Sequence, residues 1–438
     1  MYKKKQRKQK YLFKELFPFG GQLDKTNRWL KIREIIPWEK LEEKYKSYFS
    51  KKGRPGKDGQ IIIGLLLLKH MLGRSDEEIT QELTENIYWQ AFCGLEQFEV
   101  KPLLDSSSLT KLRKRIGVEF IREMEEMTYQ VLIEKKIIKG KGMLADGTVF
   151  SEKIKYPNDI SLLNDVREWI VEKIKKIGKK TGKKIRTYCR IARKEYLNFS
   201  KKKIKSKKMI KRTRRKMLQY VRRNISQVKG LLREADEAIS EKIEKKYELA
   251  EEIYEQQYEM YRKNLKSIKR RIVSFYREYV RPIKRGKNGK PVEFGAKGAI
   301  SLVNGFFFLD KISHDNFSEA GKEVVKKQIE NYKKLFKKKP PSFTGDGLYG
   351  SHDNRETMKE NEIKSSFKAL GRKGKNNQVR DRWFKKKQRE RNQIEGAIGN
   401  GKEHYGFDKI LYHGKEGAEM WIRSCILGMN LKTALVRI

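Results

Sequence analysis

The chain has 438 residues, and its 104 lysines and arginines against 56 acids leave a formal charge of +48. Solubility does not call for such a surplus; it attracts polyanions, so nucleic acid is the expected partner, with A/T-rich coding as the competing source of lysine. A hydrophobic fraction of 37% and an aromatic fraction of 11% exclude wholesale disorder, and the length points to two or three domains.

The first ten residues, MYKKKQRKQK, are basic but lack a following apolar stretch, so they do not read as a secretory signal. They form either an arm that touches phosphates or a solvated tail. Residues 1–55 comprise this arm and a packing segment anchored by Trp29, Ile32, Ile35, Ile36 and Trp38. KKGRPGKDG (51–59) is a loop. Ile61–Leu72 is apolar nearly all round and predicts a buried helix; Lys69, His70 and its short length argue against a membrane span. Gly73 ends it, Ser75 with Glu78 predicts a capping box, and Thr84 is the expected cap of a third helix through Ile87, Trp89 and Phe92. Short helices around a glycine turn suit a DNA-reading helix-turn-helix or an ordinary bundle equally. DSSSLTKLRKRIG (105–117) starts a further helix whose Lys111, Arg113, Lys114 and Arg115 are candidates for phosphate contact. Residues 56–140 are therefore expected to form an all-α DNA-binding domain.

From Gly142 strands enter. MLADGTVFSEKI (143–154) alternates around a DG pair and predicts two strands or a strand pair, followed by a helix at about 161–177. KGAISLVNGFFFLDKISH (297–314) predicts a hairpin turning at NG. Next come a helix at about 318–336, a short strand running into the glycine-rich PSFTGDGLYG (341–350), a possible strand SSFKAL (365–370), and a polar helix at 385–403. This interleaving predicts a mixed α/β domain over 141–179 and 286–438. Residues 180–285 carry no strand signal and read as an antiparallel helical hairpin inserted into it. One arm is basic, with 11 cations in Lys201–Lys216, among them Lys207, Lys208, Lys211 and Arg212. That arm is a candidate for sequence-independent phosphate contact, against the plainer reading of a solvated face. KRGKNGKP (284–291) returns the chain to the sheet.

Three carboxylates stand apart from the lysine-rich helices. Asp146 follows an apolar strand beside Gly147, Asp346 lies between Gly345 and Gly347, and Glu395 shares a helix face with Arg391 and Lys402. Carboxylates beside glycines leave room for phosphate and hard cations. Three acids with two cations describe two-metal phosphoryl transfer, and the lack of His/Cys clusters favours two Mg²⁺ or Mn²⁺ ions over zinc. Cys93, Cys189 and Cys425 form no CxxC pair, which predicts a reducing, cytoplasmic setting. No GxxxxGK[ST] loop is present.

In LADGTVF (144–150), FTGDGLYG (343–350) and the Arg391-x3-Glu395-x6-Lys402 spacing, the chain resembles the DDE transposases of bacterial insertion sequences, in the branch with a Tyr-Arg-Glu-Lys signature. It departs at Gln388, where that signature has tyrosine. The resemblance implies a ribonuclease H-like sheet with flanking helices, Asp146, Asp346 and Glu395 as catalytic metal ligands, and a double-stranded DNA substrate comprising terminal inverted repeats and target. It also implies nicking at the element's ends, attack of the freed 3′-hydroxyl on target DNA, and a homodimer or larger synaptic assembly with no membrane partner. A ribonuclease H-like nuclease without strand transfer and a domesticated, non-catalytic DNA-binding protein are the alternatives.

Overall fold

The computed structural model describes residues 18–50, 52–53, 55–233, 237–284, 292–368 and 378–438. The basic arm at 1–10, most of loop 284–291 and the last two residues of the expected strand 365–370 lie outside them. The chain divides into two compact units, Met1–Glu152 with Ala296–Ile438, and Lys153–Gly295. No helix among the described residues is long and apolar enough to cross a membrane.

The first unit opens with helices α1 (Arg28–Arg33), α2 (Trp38–Ser47), α3 (Gly59–Leu72), α4 (Asp76–Glu85), α5 (Ile87–Phe92) and α6 (Ser106–Glu134). α3 is buried all round, and Gly73 ends it in the left-handed conformation (φ 69°). The capping box at α4 is complete: Glu78 N–H donates to Ser75 Oγ at 3.1 Å, and Ser75 N–H donates to Glu78 Oε2 at 2.7 Å. The cap of α5 is Asn86 rather than Thr84. Asn86 Oδ1 accepts from Trp89 N–H at 3.1 Å, whereas the Thr84 hydroxyl turns back to Gln81 O inside α4.

β1 (Met143–Ser151) then runs unbroken through the DG pair, so one strand stands where a strand pair was expected. Gly147 does not turn the chain. A Cβ there would lie 2.8–3.0 Å from the Glu319 side chain, so the glycine serves close approach.

The second unit contains α7 (Asp159–Thr181), α8 (Cys189–Lys201), α9 (Lys207–Leu232), α10 (Glu237–Arg262) and β2 (Arg281–Lys284), which pairs antiparallel with the first residues of β3 (Val292–Val303). It is a helical bundle rather than a two-arm hairpin. Leu163, Val166, Ile170 and Ile174 of α7 share a core with Met217, Val221 and Val228 of α9 and Ala250 and Ile253 of α10. Burying that apolar face places α7 here, so the unit begins at Lys153 and extends past the expected 180–285.

Back in the first unit follow β4 (Phe306–Ser313), α11 (Lys322–Phe336), β5 (Ser342–Thr344), α12 (His352–Glu360), β6 (Lys364–Ser365), α13 (Gln378–His404) and α14 (Lys415–Leu435). The predicted hairpin is present: β3 and β4 pair antiparallel around Asn304 and Gly305, both at positive φ (51° and 82°). The sheet order in this unit is β4-β3-β1-β5-β6, with β1–β5 and β5–β6 parallel. The architecture is mixed α/β. α14 lies between the helical core (Leu427, Leu431) and the core under the sheet (Phe150, Ile300, Phe307, Ile422). Its Asn430 replaces a strand partner for β4, accepting from Phe307 N–H at 2.9 Å and donating to Phe307 O at 2.7 Å.

Asp310 of β4 is buried, with Asn331 Nδ2 donating to Oδ1 at 3.0 Å. Burial outweighs that hydrogen bond and raises its carboxyl from 3.8 to about 7. Between those values the folded chain holds a proton that the unfolded chain has lost, so this group's contribution to stability falls as pH rises from about 4 to about 7. Asp310→Asn should flatten that fall and be more stable than wild type at pH 8, by up to about 4 kcal/mol at ~1.36 kcal/mol per pKa unit, and so melt at a higher temperature there. Parallel thermal melts at pH 5 and pH 8 check this.

Candidate active site

β1 and β5 are parallel neighbours with Leu144 opposite Thr344. Asp146 and Asp346 each stand two residues further along, so the strand register brings the two residues level, Asp346 just past the end of β5 and Asp146 inside β1 rather than at the strand end the sequence suggested. Asp346 caps the 3-10 turn 347–350, its Oδ1 accepting from Leu348 N–H at 2.9 Å. Asp146 Oδ1 accepts from Gly147 N–H at 2.7 Å.

α13 brings the third acid. Ile394 is fully buried in the core under the sheet, and this fixes the helix phase so that Arg391 and Glu395 lie together on one side of it. Arg391 Nη2 is 2.8 Å from Glu395 Oε1, and Nη1 is 3.9 Å from Asp146 Oδ2. The guanidinium thus lies against the first and third acids at once. Gln388, at the position where the sequence departs from the tyrosine pattern, ties the same helix to β5 and β6: Nε2 donates to Ser366 O at 2.9 Å and to Gly345 O at 3.5 Å.

The electrostatics follow from crowding. Burial raises the Asp146 carboxyl, the negative charges of Asp346 and Glu395 raise it further, and Gly147 N–H and Arg391 oppose them. A fourth acid missed in the sequence, Glu319, lies against Gly147 and pairs with Lys297 at 2.5 Å. It sits in a loop with no motif, so only the lack of a side chain at 147 pointed to it. Tyr349, buried under the site, is pushed up by burial and by Asp146, Glu319 and Asp346.

The donors are carboxylate oxygens in mutual repulsion with a guanidinium between two of them, which suits a hard cation. Among the described residues, no three acid, His or Cys side chains are gathered closely enough to hold an ion as they stand.

The other candidates are dispersed. Lys402 lies seven residues beyond Glu395 on α13 and is half-buried. On α6, Lys111, Lys114 and Arg115 are exposed, but Arg113 is buried. Its guanidinium bonds Asp76 twice, at 3.0 and 2.9 Å, and lies 4.0 Å from the Tyr412 ring centroid. A buried, fully engaged guanidinium does not reach a phosphate, so Arg113 leaves the phosphate-contact set. Lys207, Lys208, Lys211 and Arg212 are exposed on α9 in the second unit.

Comparison with known proteins identifies the family. Residues 17–115 match the family described as a transposase domain (DUF772), and residues 351–435 match the transposase DDE domain. An uncharacterized protein, ORF8 in the nfe locus of Rhizobium meliloti, is 30% identical over 152 residues, which is 34% of this chain and 73% of that protein. No solved structure matches. These matches define a DNA transposase. The chain belongs to the DDE transposases, a family generally dependent on divalent metal. Arg391, Glu395 and Lys402 fall inside the second matched segment, and Asp146 and Asp346 fall between the two.

Proposed function

We propose that this transposase cleaves DNA at the ends of its insertion sequence and joins the freed 3′-hydroxyl to target DNA, with Asp146, Asp346 and Glu395 as the catalytic acids of a ribonuclease H-like core. The observation that carries this reading is the equivalent placement of Asp146 and Asp346 on adjacent parallel strands, with Arg391 linking Asp146 to Glu395.

Two Mg²⁺ or Mn²⁺ ions on these carboxylates would supply activation of the attacking oxygen and neutralisation of charge on the leaving one. The chain's own residues supply the rest. Partial burial of Asp146 and the negative charges of Asp346 and Glu395 beside it give the site its demand for positive charge. Arg391 answers part of it and, with Lys402, would contact phosphates near the cut. In the first step a water oxygen attacks phosphorus and the bond to the 3′-oxygen breaks, leaving a 3′-hydroxyl. In the second, that hydroxyl attacks a target phosphodiester, its proton leaves, and a target 3′-oxygen departs. The helices of 56–140, with Lys111, Lys114 and Arg115 exposed, would read the terminal inverted repeats, and synapsis of two ends calls for a homodimer or larger assembly.

The test uses the full chain, Mg²⁺ and duplexes carrying both borders of its own element. Nicks leaving a 3′-hydroxyl at one defined phosphodiester per border support the reading. Absence of cutting, or scattered cutting through unrelated DNA, overturns it.

A further inference from the structure

The second unit carries a charged surface that the active site does not explain. α9 buries Met217, Val221, Val228 and Leu231 on one side. On the opposite side Lys208, Lys211, Arg212, Arg215, Arg222 and Lys229 are all exposed, and at ~100° per residue they fall in one stripe. The helix has 26 residues, about 39 Å at ~1.5 Å each, close to the ~34–36 Å of one turn of duplex DNA.

Among the described residues nothing in the unit neutralises this stripe. α9 contains no acid. The acids that meet it take Arg214, 2.9 Å from Asp159, and Lys216, 2.5 Å from Glu195, both off the stripe's centre. None of the six stripe cations has an acid partner among the described residues. Like charges at i, i+4, as in Lys208/Arg212 and Lys211/Arg215, disfavour the helix, and a bound polyanion relieves them. Beside the stripe, the guanidiniums of Arg186 and Arg223 lie 4.6 and 4.5 Å from the Tyr188 ring centroid, which holds both in place.

From this stripe we infer that the Lys153–Gly295 unit captures target DNA, binding the phosphate backbone of any duplex along the outer face of α9. The inference rests on the transposase reading above. Recognition of the element's ends is assigned above to the helices of 56–140, and the stripe's six cations, interleaved with Gln219 and Ser226, suffice for contact with phosphates. A target of arbitrary sequence needs nothing more.

The experiment places Lys208→Gln, Lys211→Gln, Arg215→Gln and Arg222→Gln together in the full chain and measures three things: cleavage at the borders, joining of precut ends to plasmid, and the salt dependence of binding to random duplex. Cleavage should stay within about twofold. The slope of log K against log salt should lose up to ~3.6 units, at ~0.9 per lost contact, and joining should fall roughly tenfold or more at physiological salt. A charge-retaining variant, Arg212→Lys with Arg215→Lys and Arg222→Lys, should join like wild type, which separates lost charge from lost folding. Unchanged joining and slope in the glutamine variant would overturn the proposal. So would border cleavage lost together with joining, which would assign the stripe to the ends. Failure of the wild-type chain to cut its own borders would instead overturn the transposase reading.

Discussion

Asp146→Asn and Asp346→Asn should each lower border cleavage by roughly 10³-fold or more while leaving end binding within a fewfold of wild type. Asparagine keeps the size of each side chain and an oxygen for the Gly147 or Leu348 N–H, so the local backbone should hold. What disappears is negative charge at the place where the acids crowd one another. DNA phosphates are repelled by those acids, so binding has no reason to weaken and can tighten slightly. Glu395→Gln should behave likewise, although it also releases Arg391 from its 2.8 Å partner. Gel-shift affinity and cleavage of the same end-labelled duplex check both halves. Near wild-type cutting by any of the three removes that residue from the catalytic set.

Asp76→Ala should be the most damaging change outside the site. Asp76 lies 2.6 Å from Lys69, bonds Arg113 twice and accepts from Thr110 at 3.0 Å. Lys69 sits at 4% exposure within the apolar α3, and Arg113 at 7%. Removing their shared counter-ion leaves two buried cations uncompensated, which costs about 3–5 kcal/mol. Burial pushes the Asp76 carboxyl up, but the hydrogen bonds of Arg113 and Lys69 outweigh it and hold it at about 2. Its folded value is below its ordinary one, so its stabilisation is complete above about pH 4 and is lost as pH falls through about 2. Denaturant titrations at pH 7 check the loss. Arg113→Gln should destabilise in the same assay without changing the salt slope of DNA binding, as expected of a structural cation.

Local features were the most legible in the sequence. The Ser75–Glu78 box, the Asn304–Gly305 hairpin and the buried α3 are each fixed by neighbouring residues, and each formed as the pattern reads. What failed depended on tertiary packing. The DG pair resembles a turn by composition, but Gly147 is small because Glu319 lies over it. Arg113 belongs to an exposed basic run by sequence, yet helical phase turns it inward to an aspartate 37 positions away. The α7 face reads as amphipathic in either unit, and only its partners show which core it joins. At the site, Asp146 and Asp346 stood out as candidates through their neighbouring glycines, and Arg391 and Glu395 through helix spacing, whereas Glu319 and the Gln388 tether had no local signal.

The most direct measurement is joining. A precut border duplex with a free 3′-hydroxyl, supercoiled plasmid of unrelated sequence, the full chain and Mg²⁺ should yield plasmid covalently linked to the border's 3′-end, and Asp346→Asn should yield none. Plasmid nicked without any joined border, or joining that persists in Asp346→Asn, would contradict a strand-transferring active site built on Asp146, Asp346 and Glu395.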